Sequence, residues 1–307
     1  MSAVGLGLAA LGRPGYLNLG HGDDLDAART VAGLERRCHD VLDAAYEEGV
    51  RHLDAARSYG RAEEFLASWL EARGIGPGAV TVSSKWGYTY TADWRVDADP
   101  PEVKDLSLDT LRRQLAETRS WLGPWLSLYQ IHSATVSSGV LDDAGVLEEL
   151  AWLRDGGVLV GLTVTGTDQS ETIDLALERG GFDSVQATYN LLERSAGPAL
   201  ERAHAAGLRV MVKEAVANGR LTPRGGCAPL EAVAERLGAT SDAVALAAVR
   251  SRPWVDVVLS GAATAEQLRS NLAALEVRWS AELDDELAGL AEPGEAYWAT
   301  RSGLSWT

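Results

Sequence analysis

The sequence predicts an α/β fold, the (β/α)8 or TIM barrel, and three observations carry that expectation. Short apolar, β-branched runs alternate with longer amphipathic segments, the pattern of a parallel sheet wrapped in helices. Eight such runs can be counted, which favours a closed barrel over an open doubly wound sheet. They are nearly continuously apolar, as strands buried on both faces must be.

The predicted strands cover residues 4–10, 51–56, 79–86, 126–132, 158–164, 184–190, 208–215 and 255–261. Helical spacing of apolar positions appears between them at 34–48, 62–73, 104–121, 145–154, 169–179, 196–205 and 230–237, with further helices at 242–250 and 265–275 around the last strand. Asp105 and Ser107 are caps for the third helix, and Gly156, Gly157, Gly180 and Gly181 stand where helix ends need glycine. The longest irregular pieces are 11–30, 87–103, 216–229 and a tail from about 293 to 307. The first three begin at or near carboxyl ends of strands, the face on which barrel enzymes build their sites. No repeat or Pro/Gly/Ser-rich linker divides the chain, so residues 1–307 are expected to form a single domain.

A formal net charge of -16 repels nucleic-acid backbones and anionic membrane surfaces alike. Two cysteines, Cys38 and Cys227, far apart, indicate neither a disulfide framework nor a zinc cluster, and no metal site is expected. No targeting segment or membrane span is visible, so the expectation is a soluble cytoplasmic protein.

Asp54, Lys85 and His132 close the second, third and fourth predicted strands, and Tyr59 follows Asp54 in the next loop, so all four would point into one pocket. With Asp54-Ala55-Ala56-Arg57-Ser58-Tyr59-Gly60, Ser84-Lys85-Trp86, Gln130-Ile131-His132, Gly161-Leu162-Thr163, Gln186, Asn218-Gly219-Arg220-Leu221 and the late segment from Gly261 through Gln267 to Asn271-Leu272, the chain resembles the aldo-keto reductases over nearly its whole length. The resemblance implies an enzyme that reduces an aldehyde or ketone with a nicotinamide cofactor, or runs the reverse, through a tetrad matched here by Asp54, Tyr59, Lys85 and His132. Reduction of a carbonyl leaves an alkoxide that needs a proton, and a phenol with an ordinary pKa of about 10 is a poor donor. Lys85 is expected to lower that value, Asp54 to hold Lys85, and a neutral His132 to aim and polarise the carbonyl.

Gly5-Leu6-Gly7 through Gly12 imitates a dinucleotide fingerprint, but its last glycine comes too late and Arg13-Pro14-Gly15 opens no helix, so it reads as the first strand. The resemblance instead implies that Thr163 and Gln186 hold the cofactor's carboxamide and that Gly261, Gln267 and Asn271 line its adenosine end near a helix N-terminus. Val164 stands where many members have asparagine, so one carboxamide contact is either lost or replaced by Thr165. Lys213 and Glu214 stand where many have an aromatic residue, making them cofactor-face candidates or else a structural ion pair. Gly261 and Gln267 replace the Lys and Arg that grip a 2′-phosphate elsewhere in the family. NADP(H) is nonetheless expected over NAD(H), with Arg220, Arg224 or Arg269 supplying the charge.

Trp86 and Tyr88 after the lysine, Trp94 in the same loop, and Trp298 and Trp306 in the tail suggest an aromatic-walled substrate site partly covered by a tail without helical period. The alternative is a tail that clasps the outer helices. The expected partner is a small-molecule carbonyl or alcohol. Two other readings stay open: a nucleotide-binding regulatory subunit of the same fold, and a glycosidase using Asp54 and Glu214. None of these signals encodes the oligomeric state.

Overall fold

In the computed structural model, which describes residues 3–25 and 29–307, eight parallel strands hydrogen-bond into a closed ring. The strands in chain order are β1 (Ala3–Gly7), β2 (His52–Asp54), β3 (Thr81–Trp86), β4 (Tyr88–Tyr90), β5 (Glu102–Lys104), β6 (Leu126–Ala134), β7 (Leu159–Val164), β8 (Ser184–Thr188), β9 (Arg209–Lys213) and β10 (Val257–Ser260). The barrel runs β1-β10-β9-β8-β7-β6-β3-β2 and closes because β1 pairs on both sides, Ala3 with Val257 and Gly7 with Asp54. β4 and β5 stand outside it as an antiparallel pair. Their hairpin occupies most of the segment expected to be irregular at 87–103, and residues 26–28 of the predicted 11–30 loop lie outside the described residues, as do residues 1–2.

The helices are α1 (His21–Asp24), α2 (Val31–Glu47), α3 (Ala62–Ala72), α4 (Leu108–Leu122), α5 (Ala144–Asp155), α6 (Gln169–Arg179), α7 (Gly197–Ala205), α8 (Ala228–Leu237), α9 (Ser241–Arg250), α10 (Ala265–Leu272), α11 (Ala281–Glu286) and α12 (Gly294–Ser302). Side-chain caps start several of them: Ser107 accepts from the Thr110 amide, Asp143 from Val146, Thr240 from Ala243 and Thr264 from Gln267. α4 begins at Leu108 rather than 104 because Lys104 is drawn into β5 and Asp105 accepts from the Ser107 amide, turning the chain first. The tail, expected to lack helical order, contains α12, whose Tyr297 and Trp298 are buried against Leu191, Leu192 and Leu287. Two aromatic anchors one residue apart hold a helix too short for a visible period. None of the described helices is long and apolar enough to cross a membrane.

The large apolar core lies between the strands and the helical ring. Inside the barrel, among the described residues, Leu128, Met211, Val257 and Leu259 form an apolar floor. Above it the interior is polar: the Gln186 amide on β8 reaches Asp54 on β2 at 3.4 Å, a bond that must span the barrel because the two strands are not neighbours.

Candidate active site

Strand alternation sets the site. Asp54, Lys85, Gln130 and Gln186 meet in the barrel interior, where successive side chains of a strand point to opposite faces. Lys85 Nζ donates to Asp54 Oδ2 and, at 2.9 Å, to the Ala55 carbonyl, with the lysine side chain 1% exposed. Asp54 Oδ1 accepts from Ser83 Oγ at 2.6 Å and from the Gln130 amide at 3.3 Å. Ser83 spends its proton on Asp54, so His52, 3.1 Å away through Nε2, must carry its own proton there. Burial lowers the His52 pKa to about 4 and keeps that imidazole neutral.

Tyr59 lies over this pair, the Lys85 ammonium 4.8 Å from its ring centroid. His132 at the upper end of β6 meets Tyr59 edge to face at 5.6 Å and Tyr88 at 4.9 Å. Burial, followed by the charges of Lys85, Lys213, Arg13 and Lys104, drives the His132 pKa well below its ordinary value, so the ring is neutral as expected. Tyr59 departs from the expectation: burial and then Asp54 push its phenol above the ordinary value, and Arg13 only partly opposes them. Lys85 cannot lower it because Asp54, in contact with the same ammonium, cancels most of that field at the ring.

Backbone approach fixes Tyr59. A Cβ at Gly12 would lie 2.1 Å from the Tyr59 carbonyl, and the Gly12 carbonyl accepts from the Arg61 amide at 2.8 Å. Arg13 is buried; it donates to the Ser58 carbonyl and to Glu102 Oε2, both at 2.7 Å, and stacks over Tyr59 at 5.4 Å and Trp306 at 4.4 Å. The tail end is pinned above it: Tyr16 and Thr307 exchange backbone hydrogen bonds, and Gly15 leaves room for Trp306 where a Cβ would lie 2.1 Å from the indole nitrogen. Arg13, Tyr16, Glu102 and Arg301 escaped the sequence reading. Isolated polar residues outside the barrel strands carry no spacing signal.

These groups line an open cavity at the carboxyl ends of the strands, bordered by Tyr59, His132, Tyr88, Lys213, Glu214 and Trp306 among others. Asn18, Val216 and Gly261 also border a second groove, which runs on past Asp24, Arg224, Asp242, Glu266, Gln267 and Asn271. The two form one trough. Buried Asn218 Oδ1 on the first part and Asp242 Oδ1 on the second have no hydrogen-bond partner, and a Cβ at Gly261 would meet nothing within 4 Å. An elongated ligand with hydroxyl and amide donors fits such a trough.

The other expected residues divide. Gln186, Lys213, Glu214, Gly261 and Tyr88 line the first cavity, and Arg224, Gln267 and Asn271 the second. Thr163 lines neither: its hydroxyl accepts from the Ser133 amide at 2.7 Å and holds the loop behind His132, while Thr165 reaches the cavity. Trp86 is fully buried in the outer core, since the neighbour of an inward lysine must face outward. Trp94 packs against Phe65 and donates to the Arg29 carbonyl, and Trp298 lies in the core beneath α12; neither borders the cavity. Trp306 does. Arg220 is paired with Glu292, Arg269 sits 4.0 Å from Glu48 on the surface, and Arg224 is gripped by Asp24 at 2.5 and 2.8 Å. Asp54 and Glu214 do not form a carboxylate pair with each other: Asp54 is held by Lys85 and Glu214 by Arg301 at 2.5 Å.

The model of the aldo/keto reductase family matches residues 4–292. The chain is 24% identical over 313 residues to the NADH-specific methylglyoxal reductase of Escherichia coli strain K12, covering 91% of each. Two solved structures share the fold: the glycerol dehydrogenase of Gluconobacter oxydans, 21% identical with a TM-score of 0.71 over 94% of this chain and 90% of that one, and the holo form of an aldo-keto reductase from Bacillus halodurans, 20% identical with a TM-score of 0.70 over 94% and 92%. α12 and the tail end, with Arg301 and Trp306, lie beyond the matched residues.

Proposed function

The chain belongs to the aldo/keto reductase family of oxidoreductases, and from that premise we propose that it moves hydride between a nicotinamide dinucleotide and a small aldehyde or ketone, or the corresponding alcohol, with Tyr59 as proton donor and acceptor. The observation that carries the reading is the buried Asp54–Lys85 pair lying under Tyr59, with neutral His132 at its edge, at the open end of the barrel. The bound dinucleotide supplies or accepts the hydride. Tyr59 keeps its proton at neutral pH and yields it only to a stronger base, which is what an alkoxide formed beside it is. The Lys85–Asp54 pair holds the polar surface on which the Tyr59 ring lies, and His132 offers a neutral N–H to the carbonyl oxygen.

In this reading Gln186, Thr165 and Asn218, which line the first cavity, hold the nicotinamide end, and Gly261, Gln267 and Asn271, which line the groove, hold the adenosine end. For the dinucleotide itself the charges favour NAD(H), against the NADPH expectation. The groove's arginine is spent on Asp24, and Asp242 and Glu266 stand beside it, an arrangement that suits ribose hydroxyls and repels a 2′-phosphate. The NADH-specific relative supports this choice. Tyr59→Phe is expected to cut turnover by at least about 100-fold while NADH affinity, read by tryptophan quenching, stays within about twofold. A variant that keeps most of its turnover overturns the assignment.

A further inference from the structure

We infer that Lys213 is an anion anchor inside the catalytic cavity, and that the carbonyl substrate it serves carries a carboxylate, as a small oxo acid does. The inference rests on the reading of this cavity as the site of carbonyl reduction. Three cationic side chains line the cavity, Arg13, Lys213 and Arg301, and three carboxylates, Asp54, Glu102 and Glu214. Arg13 is paired with Glu102, Glu214 with Arg301, and Asp54 with Lys85 beneath the floor of the cavity. Lys213 alone of the charged groups lining the cavity has no hydrogen bond or ion pair among the described residues. Its chain neighbour Glu214 is turned away by a left-handed backbone, φ 56°, toward Arg301 and the Thr188 hydroxyl at 3.0 Å.

Lys213 is partly exposed to the cavity and feels Glu214 and Asp54 only through space, and an ammonium without a hydrogen-bonded counter-charge within a cleft is a candidate for ligand contact. Desolvation lowers the Lys213 pKa to about 8, so the amine is charged at neutral pH and gains most from an incoming anion. Position selects the kind of anion. Met211, two residues earlier on β9, belongs to the apolar floor, which places Lys213 one layer higher in the cavity that His132 also borders. Its charge is felt at the His132 ring. A compact single cation beside fixed carboxylates matches one monoanionic carboxylate better than a phosphate dianion. Tyr16, Tyr88 and Trp306 are further walls of the same cavity.

4-Oxobutanoate and butanal differ only in that the former ends in a carboxylate where the latter ends in a methyl group. With saturating NADH the wild-type protein should favour 4-oxobutanoate in kcat/KM by about 10-fold or more, the scale of one charge-assisted contact. Lys213→Met should abolish the preference, and Lys213→Arg, which keeps the charge, should retain part of it and control for misfolding. Equal kcat/KM ratios in wild type and Lys213→Met overturn the anchor. So does a loss of NADH affinity in Lys213→Met that lowers both substrates alike, because the amine would then serve the cofactor. Calorimetric titration of 4-oxobutanoate into the NADH-loaded Tyr59→Phe protein, with and without Lys213→Met, keeps the two readings separate. Lys213-dependent binding without turnover of either aldehyde by the wild type sustains the anchor and refutes the reductase, whereas binding indifferent to Lys213 refutes the anchor whatever the activity.

Discussion

Asp54 is a negative charge buried in a barrel, and it is tolerable only because Lys85, Ser83, Gln130 and Gln186 surround it with donors. Removing one partner of such a pair leaves the other charge uncompensated, so Lys85→Met should destabilise the protein by about 3–5 kcal/mol. Asp54→Asn leaves an amide donor facing the ammonium and should cost a comparable amount. The double variant Asp54→Asn/Lys85→Met should fall well short of the sum of the two losses, because it strands no charge. Urea unfolding of all three proteins checks this, and strictly additive losses would mean that the pair is not coupled. Turnover should be lost in all three, which separates a residue's part in chemistry from its part in folding.

At the scale of one element, α12 shows how a short helix becomes obligatory. Arg301 grips Glu214, Asn190 bridges the Tyr297 hydroxyl at 3.0 Å and the Glu214 carbonyl at 2.9 Å, and Tyr297 and Trp298 fill the core beneath. Burial raises the Glu214 pKa, but Arg301, Lys213 and Thr188 together outweigh it and hold the carboxyl below its ordinary 4.5. A carboxylate depressed in the folded state contributes stability that is present above its unfolded pKa and is lost as pH falls through the folded one. Arg301→Met should therefore cost about 3–5 kcal/mol near pH 7, and the gap from wild type should narrow as the pH drops below about 4.5, the ordinary carboxyl value. A gap that stays constant with pH would show that Arg301 acts through packing alone. The last four residues do different work, since Trp306 forms a cavity wall rather than core. Removing residues 304–307 should raise KM for ring-bearing carbonyls several-fold over small aldehydes with little change in Tm, and an unchanged ratio would count against a lid.

Across the whole molecule, the trough is assembled from distant parts of the chain: the segment after β1 with Asn18 and Asp24, the loop after β9 with Arg224, and the starts of α9 and α10 with Asp242 and Gln267. With a net charge of -16 around it, every added phosphate on a ligand works against the field. NADH should bind at least about 10-fold more tightly than NADPH at low ionic strength, the scale of one unfavourable charge contact, and Asp242→Asn or Glu266→Gln should narrow the difference. Dissociation constants by fluorescence at two salt concentrations test it. Equal affinities for the two dinucleotides would return the choice to the arginines.

The fold, and the meeting of Asp54, Tyr59, Lys85 and His132 at one end of the barrel, were legible because both rest on local rules. Alternating apolar runs identify strands buried on two faces, and a strand's last inward residue falls at the mouth of the barrel, which is why Asp54, Lys85 and His132 could be read from order alone. The same alternation, applied to Trp86, would have sent it outward. What the order of residues could not carry is which loop residue meets which. Arg13 reaches Glu102 across 89 positions and Arg301 reaches Glu214 across 87, while Arg224, free to hold a phosphate on paper, meets Asp24 across 200. Charge pairing between such remote segments depends on closing the barrel, so only the tertiary structure decided which charges are paired and that Lys213, among the described residues, has no hydrogen bond or ion pair.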